Sequence, residues 1–148
     1  MVGLDVGDRT IGIAVSDDEQ ILAQGVRVLR RTSHDADVKA VAGIVRQYQT
    51  QLLVVGLPRS LKGAVGPQAE KVLAFARALE EGCAVSVAFW DERLSTRAAE
   101  RSLQEAELPP RRRRALVDQV AATVILQGFL DGQRARLGSI DAQPSDEA

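Results

Sequence analysis

The chain has 148 residues, 45% of them hydrophobic and 26% charged, with a formal net charge of −1. That length sets a prior of one domain with a sizeable core, and the near-neutral balance argues against a strongly basic nucleic-acid binder. A single cysteine, Cys83, excludes an internal disulfide and a Cys-based zinc cage; no apolar run approaches the ~18–20 residues of a membrane span, and the first residues lack a signal pattern, so the expectation is a cytoplasmic protein with no membrane partner.

The chain opens with two apolar runs, residues 2–6 and 11–15, separated by Gly7, Asp8, Arg9 and Thr10. That pattern predicts a β-hairpin. Ile21 to Leu29 is a third strand, with Gly25 as a candidate bulge. A helix is expected from about Asp35 to Gln49, where Val38, Val41, Ala42 and Val45 keep a spacing of three and four, with Ser33 or Asp35 as its cap. The continuous apolar run LLVVG, residues 52–56, suits a strand buried on both faces. The loop LPRSLKGAVGPQ leads to a helix over about Ala69–Leu79, stopped by Gly82, and VSVAF, residues 85–89, is a fifth strand. After WDERLS another helix reaches about Ala106 and ends at Pro109–Pro110. The last helix runs from near Arg112 to about Arg134.

The order β-β-β-α-β-α-β-α-α implies an α/β domain: a mixed five-stranded sheet with helices on both faces. It is expected to fill residues 1–137, with 138–148 a disordered acidic tail.

A carboxylate within an apolar strand costs several kcal/mol unless something pairs with it, and Asp5 is flanked by Leu4 and Val6. Asp91 and Glu92 follow the fifth strand, and Asp118 lies beside Val117 and Val120 in the last helix. Taken singly, Asp118 reads as a solvated helix residue, and Asp91–Glu92 as a cap or an ion pair. The topology changes this. With strands 1, 4 and 5 parallel, their carboxyl ends share one edge, and Ala121 and Ala122 let the last helix pack closely across it. Converging carboxylates repel one another unless a cation sits among them, and hard oxygen ligands suit Mg²⁺ or Mn²⁺. Two ions can clamp the attacking and leaving oxygens of an in-line displacement at phosphorus. Adjacent residues of an extended chain point opposite ways, so Glu92 is the expected ligand and Asp91 an outer-shell group.

The blocks GLDVGDRTIGIAVSD, VVGLPRSLKG, WDERLSTRAAERSL and VDQVAATVILQGFLD resemble the signature segments of the YqgF/RuvX family, in order, over about residues 2–131. Those proteins are similar to Holliday-junction resolvases of RuvC type and share the RNase H-like fold. The resemblance implies a metal-dependent endonuclease that resolves branched DNA, matures the 5′ end of pre-16S ribosomal RNA, or both. Matched to the blocks, Asp5, Glu92 and Asp118 form the acidic site. One departure stands out: the fourth strand ends in Gly56–Leu57–Pro58, with no carboxylate where RuvC-type enzymes supply one.

Donors for phosphate are expected from Arg59, Ser60 and Lys62 in the loop after strand 4, from Arg93 and Arg97, and from the run Arg111, Arg112, Arg113 and Arg114. Symmetric cutting of a junction needs two sites, hence a homodimer. Two rival readings remain. A non-catalytic nucleic-acid-binding module, acting in transcription or on the ribosome, would keep the arginines without needing the acids. An ATP-dependent phosphotransferase uses a similar Asp-x-Gly hairpin, but this chain has length for one such lobe and no P-loop.

Overall fold

The computed structural model describes residues 1–58, 66–91 and 120–135. The expected helix ending near Ala106, the last helix before residue 120 and the tail 138–148 lie outside the described residues.

Five strands form one mixed sheet: β1 (Val2–Val6), β2 (Thr10–Ser16), β3 (Ala23–Arg30), β4 (Leu52–Leu57) and β5 (Ser86–Asp91). Their spatial order is β3-β2-β1-β4-β5, so the first strand is central. The β1–β2–β3 meander is antiparallel, whereas β4 joins β1, and β5 joins β4, in parallel. β3 carries a bulge, one residue beyond the expected Gly25, which is itself paired. Ile13 faces Arg27 and Ala14 faces Gly25, which leaves Val26 as the extra residue.

Helices α1 (His34–Gln47) and α2 (Pro67–Cys83) are the crossovers. The Ser33 side chain accepts a hydrogen bond from the Ala36 N–H at 3.1 Å, so Ser33, not Asp35, is the cap of α1. Pro67 opens α2, where its missing N–H costs nothing. Gly82 does not stop this helix as expected. A side chain there would approach Val38 of α1 to 3.0 Å, so glycine serves close helix packing, and the helix ends at Ala84, in the left-handed conformation at φ 49°. β5 also runs further than expected, because its ladder with β4 continues to Leu57 opposite Asp91.

Strand alternation divides the core into two layers. Val2, Leu4, Val6, Ile11, Ile13, Leu53, Val55 and Leu57 pack against α1 and α2, around Phe75 and Leu79. On the other face Ala14 and Val54 meet a helix over 120–135, α3, through Ala122, Ile125, Leu126 and Leu130. Among the described residues no helix is long and apolar enough to cross a membrane.

The direction of α3 follows from its contacts. Gln127 accepts from Ala23 N–H and donates to Ile21 C=O, both at 2.8 Å, next to the beginning of β1, where Ser16 N–H bonds Met1 C=O. Gln133 lies by Met1 and Leu52, while Ala122 and Leu126 pass over Gly3. α3 therefore runs antiparallel to β1, with its described start at 120 toward the carboxyl ends of β1, β4 and β5. A methyl on Gly3 would come within 2.7 Å of Leu126 Cβ and 3.2 Å of Ala122 O. Gly3→Ala is expected to destabilise the fold by about 1–3 kcal/mol, read as a lower urea midpoint at unchanged m-value.

Candidate functional site

Leu4 and Val6 are buried in the layer under α1 and α2, so alternation turns Asp5, like Gly3, to the α3 face. Its neighbours at that level come from the ladder. Gly12 of β2 is directly opposite Asp5, and Val28 is opposite Gly12. On the other side Leu4 pairs Val55, which carries Gly56 to the level of Asp5, and Gly56 pairs Trp90. The half-buried Asp5 carboxylate thus rises between two glycines at the end of the central strand. Neither neighbouring strand sends a side chain across it, which leaves room for a cation or a phosphate oxygen.

Trp90 walls the strip on the β5 side. Its indole lies against α3 at Gly128, where an added Cβ would stand 2.8 Å from Cζ2, and near Gly132. The small residues four apart in α3 form the seat for this ring. Asp91 lies within the strand and not past its end. Val87 packs into the α1/α2 layer and Trp90 into the α3 layer, so Asp91 falls on the face opposite Asp5. The oxygen chemistry of Asp5, set between Gly12 and Gly56 of the neighbouring strands, fits a hard divalent cation. Among the described residues no three His, Cys, Asp or Glu side chains gather to hold one. Glu92, Asp118, Arg59, Ser60, Lys62, Arg93, Arg97 and Arg111 to Arg114 all lie outside the described residues.

The turn after Asp5 is held from beneath, by residues that the sequence pattern did not single out. Gly7 N–H donates to Thr10 C=O at 2.9 Å. The Gly7 C=O accepts from Arg31 Nη1, also at 2.9 Å, while Arg31 Nε contacts Asp37 at 3.0 Å. Asp37 is 7% exposed and also accepts from Thr32 N–H. The Arg31 guanidinium lies 4.9 Å from the centre of the Phe75 ring of α2, whose edge meets His34. One cation thus joins the β1–β2 turn to the beginnings of α1 and the middle of α2. His34, the only histidine, is exposed and lies on this far face.

A family model described as the Holliday junction resolvase RuvX matches residues 1–132. The chain is 54% identical over 131 residues to a protein of Moorella thermoacetica, covering 88% of this chain and 94% of the relative. It is 47% identical over 135 residues to one of Caldanaerobacter subterraneus, covering 90% and 97%. Both carry the provisional name pre-16S rRNA nuclease. Among solved structures, Thermus thermophilus RuvC in complex with Holliday junction substrate aligns with a TM-score of 0.59 at 17% identity, over 94% of this chain and 97% of that one. The fowlpox virus resolvase with junction DNA aligns at 0.51 and 11% identity, over 89% and 97%. At such identities these two neighbours establish the shared fold, which is the expected RNase H-like arrangement.

Arg31→Ala leaves the Asp37 carboxylate buried without its cation. The expected cost is about 3 kcal/mol or more, measured by urea unfolding, with Arg31→Lys recovering only part because it cannot bond Gly7 and Asp37 in one plane.

Proposed function

Because the chain belongs to the Holliday junction resolvase family RuvX, we propose that it is a divalent-metal-dependent endonuclease that hydrolyses phosphodiester bonds of structured nucleic acid. The observation that carries this reading is Asp5: one acid on the central strand, at its carboxyl end, flanked on the neighbouring strands by Gly12 and Gly56. The names of the relatives make precursor 16S rRNA the first substrate to offer. Four-way junction DNA is the second, after the family description.

Asp5, Glu92 and Asp118 would hold the metal. Position 118 is four residues before Ala122, the helical interval that separates Ala122 from Leu126 above Gly3. Residue 92 follows Asp91, whose own face is turned away from Asp5. Both considerations support the acidic set expected from sequence, with Asp91 in a supporting role. When bound, Mg²⁺ or Mn²⁺ supplies positive charge to the phosphoryl oxygens and the leaving oxygen of an in-line displacement. The chain's own part is to orient. The sheet fixes the Asp5 carboxylate, the Arg31–Gly7 bond fixes the turn beside it, and the glycine strip admits the sugar-phosphate backbone. Arg59, Ser60, Lys62, Arg93, Arg97 and Arg111 to Arg114 would neutralise phosphates outside the cut. Two copies of the chain would serve a symmetric junction.

Asp5→Asn keeps the shape of the side chain and removes its charge. It is expected to lower cleavage by at least ~100-fold in Mg²⁺ or Mn²⁺, on whichever of the two substrates the parent cuts, with an unchanged far-UV spectrum. Cleavage at the parental rate would overturn the proposal.

A further inference from the structure

Arg30 is the last residue of β3 and pairs with Thr10 of β2. Its two neighbours fix its direction. Leu29 packs against the α1/α2 layer, and Arg31 reaches Asp37 and Phe75 on that same side. Alternation therefore turns Arg30 to the face that carries Asp5. Arg30 is exposed, and among the described residues it joins no ion pair. Asp5 is the sole acid in β1, β2 and β3. The nearest acid on the turn, Asp8, stands 4.0 Å from Lys71 of α2 and so is drawn toward the opposite face. Among the described residues, no acid other than Asp5 therefore stands along the strip that leads from Arg30 through Gly12.

The spacing matches a polynucleotide. Two interstrand steps of ~4.8 Å and two residues of ~3.4 Å place the Arg30 Cα roughly 12 Å from that of Asp5. The rise of ~3.4 Å per nucleotide along a duplex axis sets an upper bound of about three nucleotides on this span, and the long arm of Arg30 shortens it. Resting on the nuclease reading above, we propose that Arg30 binds a backbone phosphate of the substrate strand within about three nucleotides of the bond cut, so that the substrate crosses β2 and leaves over β3. Among the described residues β3 is an edge of the sheet, so none of the described strands blocks that exit. The guanidinium suits a phosphate because it can offer two parallel donors.

A second arginine of the same strand provides the control. Arg27 is exposed too, but it lies by Val26, Ile44 and Tyr48 on the α1 side. If edge arginines serve only to keep the open strand from pairing with other chains, the two are equivalent. The test measures dissociation constants for two probes, a four-way DNA junction and a 5′-extended RNA hairpin, across a salt series in Ca²⁺. Arg30→Ala should weaken binding several-fold and lower the slope of log K against log salt by about one on at least one probe. Arg30→Lys should keep the slope, and Arg27→Ala should change neither quantity. A parental slope for Arg30→Ala on both probes, or an equal loss in Arg27→Ala, would overturn the proposal. The readout is binding, so a failure of the nuclease reading, seen as undiminished cleavage by Asp5→Asn, is scored separately.

Discussion

Gly3 has no space for a side chain, and much of the molecule depends on that. The backbone of α3 lies directly on it, with Leu126 Cβ 2.7 Å from where a Cβ would be. Such contact seats the helix directly on the backbone of the central strand at this point. It fixes the height of α3 above the sheet and the line along which it runs. Asp5 is two residues further along the same face of the same strand. A bulkier residue at position 3 would lift the helix away from the sheet at the level next to Asp5.

The opposite face serves the site by stiffness. Burying a charge is expensive unless it is paired and hydrogen-bonded, and the Arg31–Asp37 pair meets both conditions: Asp37 takes the guanidinium and a backbone N–H, and the guanidinium spends a further donor on Gly7 C=O. The pair links the turn after Asp5 to two helices that never touch the strip itself. This also explains the sequence Arg30–Arg31 at the end of β3. Two identical side chains one residue apart fall on opposite faces, one bound into the structure and one exposed on the face that carries Asp5.

Most of the fold was legible because its signals are local and periodic. The two runs around Gly7, the apolar LLVVG and the spacing of three and four in α1 each produced the expected element. The errors share a physical cause. Gly82 looked like a helix stop, but its role is set by Val38 of another helix. β5 runs past the apolar residues 85–89 because the ladder that extends it to Asp91 belongs to β4. Asp5 could be picked out because an acid between Leu4 and Val6 breaks a local rule. Asp37 could not, since a charge on an amphipathic helix looks solvated until its partner from β3 is placed. Trp90 was similarly opaque, because its seat consists of two glycines some forty residues later in the chain. The other acids expected at the site, Glu92 and Asp118, rest on the signature blocks and on helical and strand periodicity.

The proposed role of Asp5 is to hold a divalent cation. Titrating the protein with Mn²⁺ and following the free ion by electron paramagnetic resonance tests it without any choice of substrate. The parent is expected to deplete free Mn²⁺, and Asp5→Asn, folded to the same extent, to bind it at least ~10-fold more weakly. Equal binding by the two proteins, or none by the parent, would contradict it.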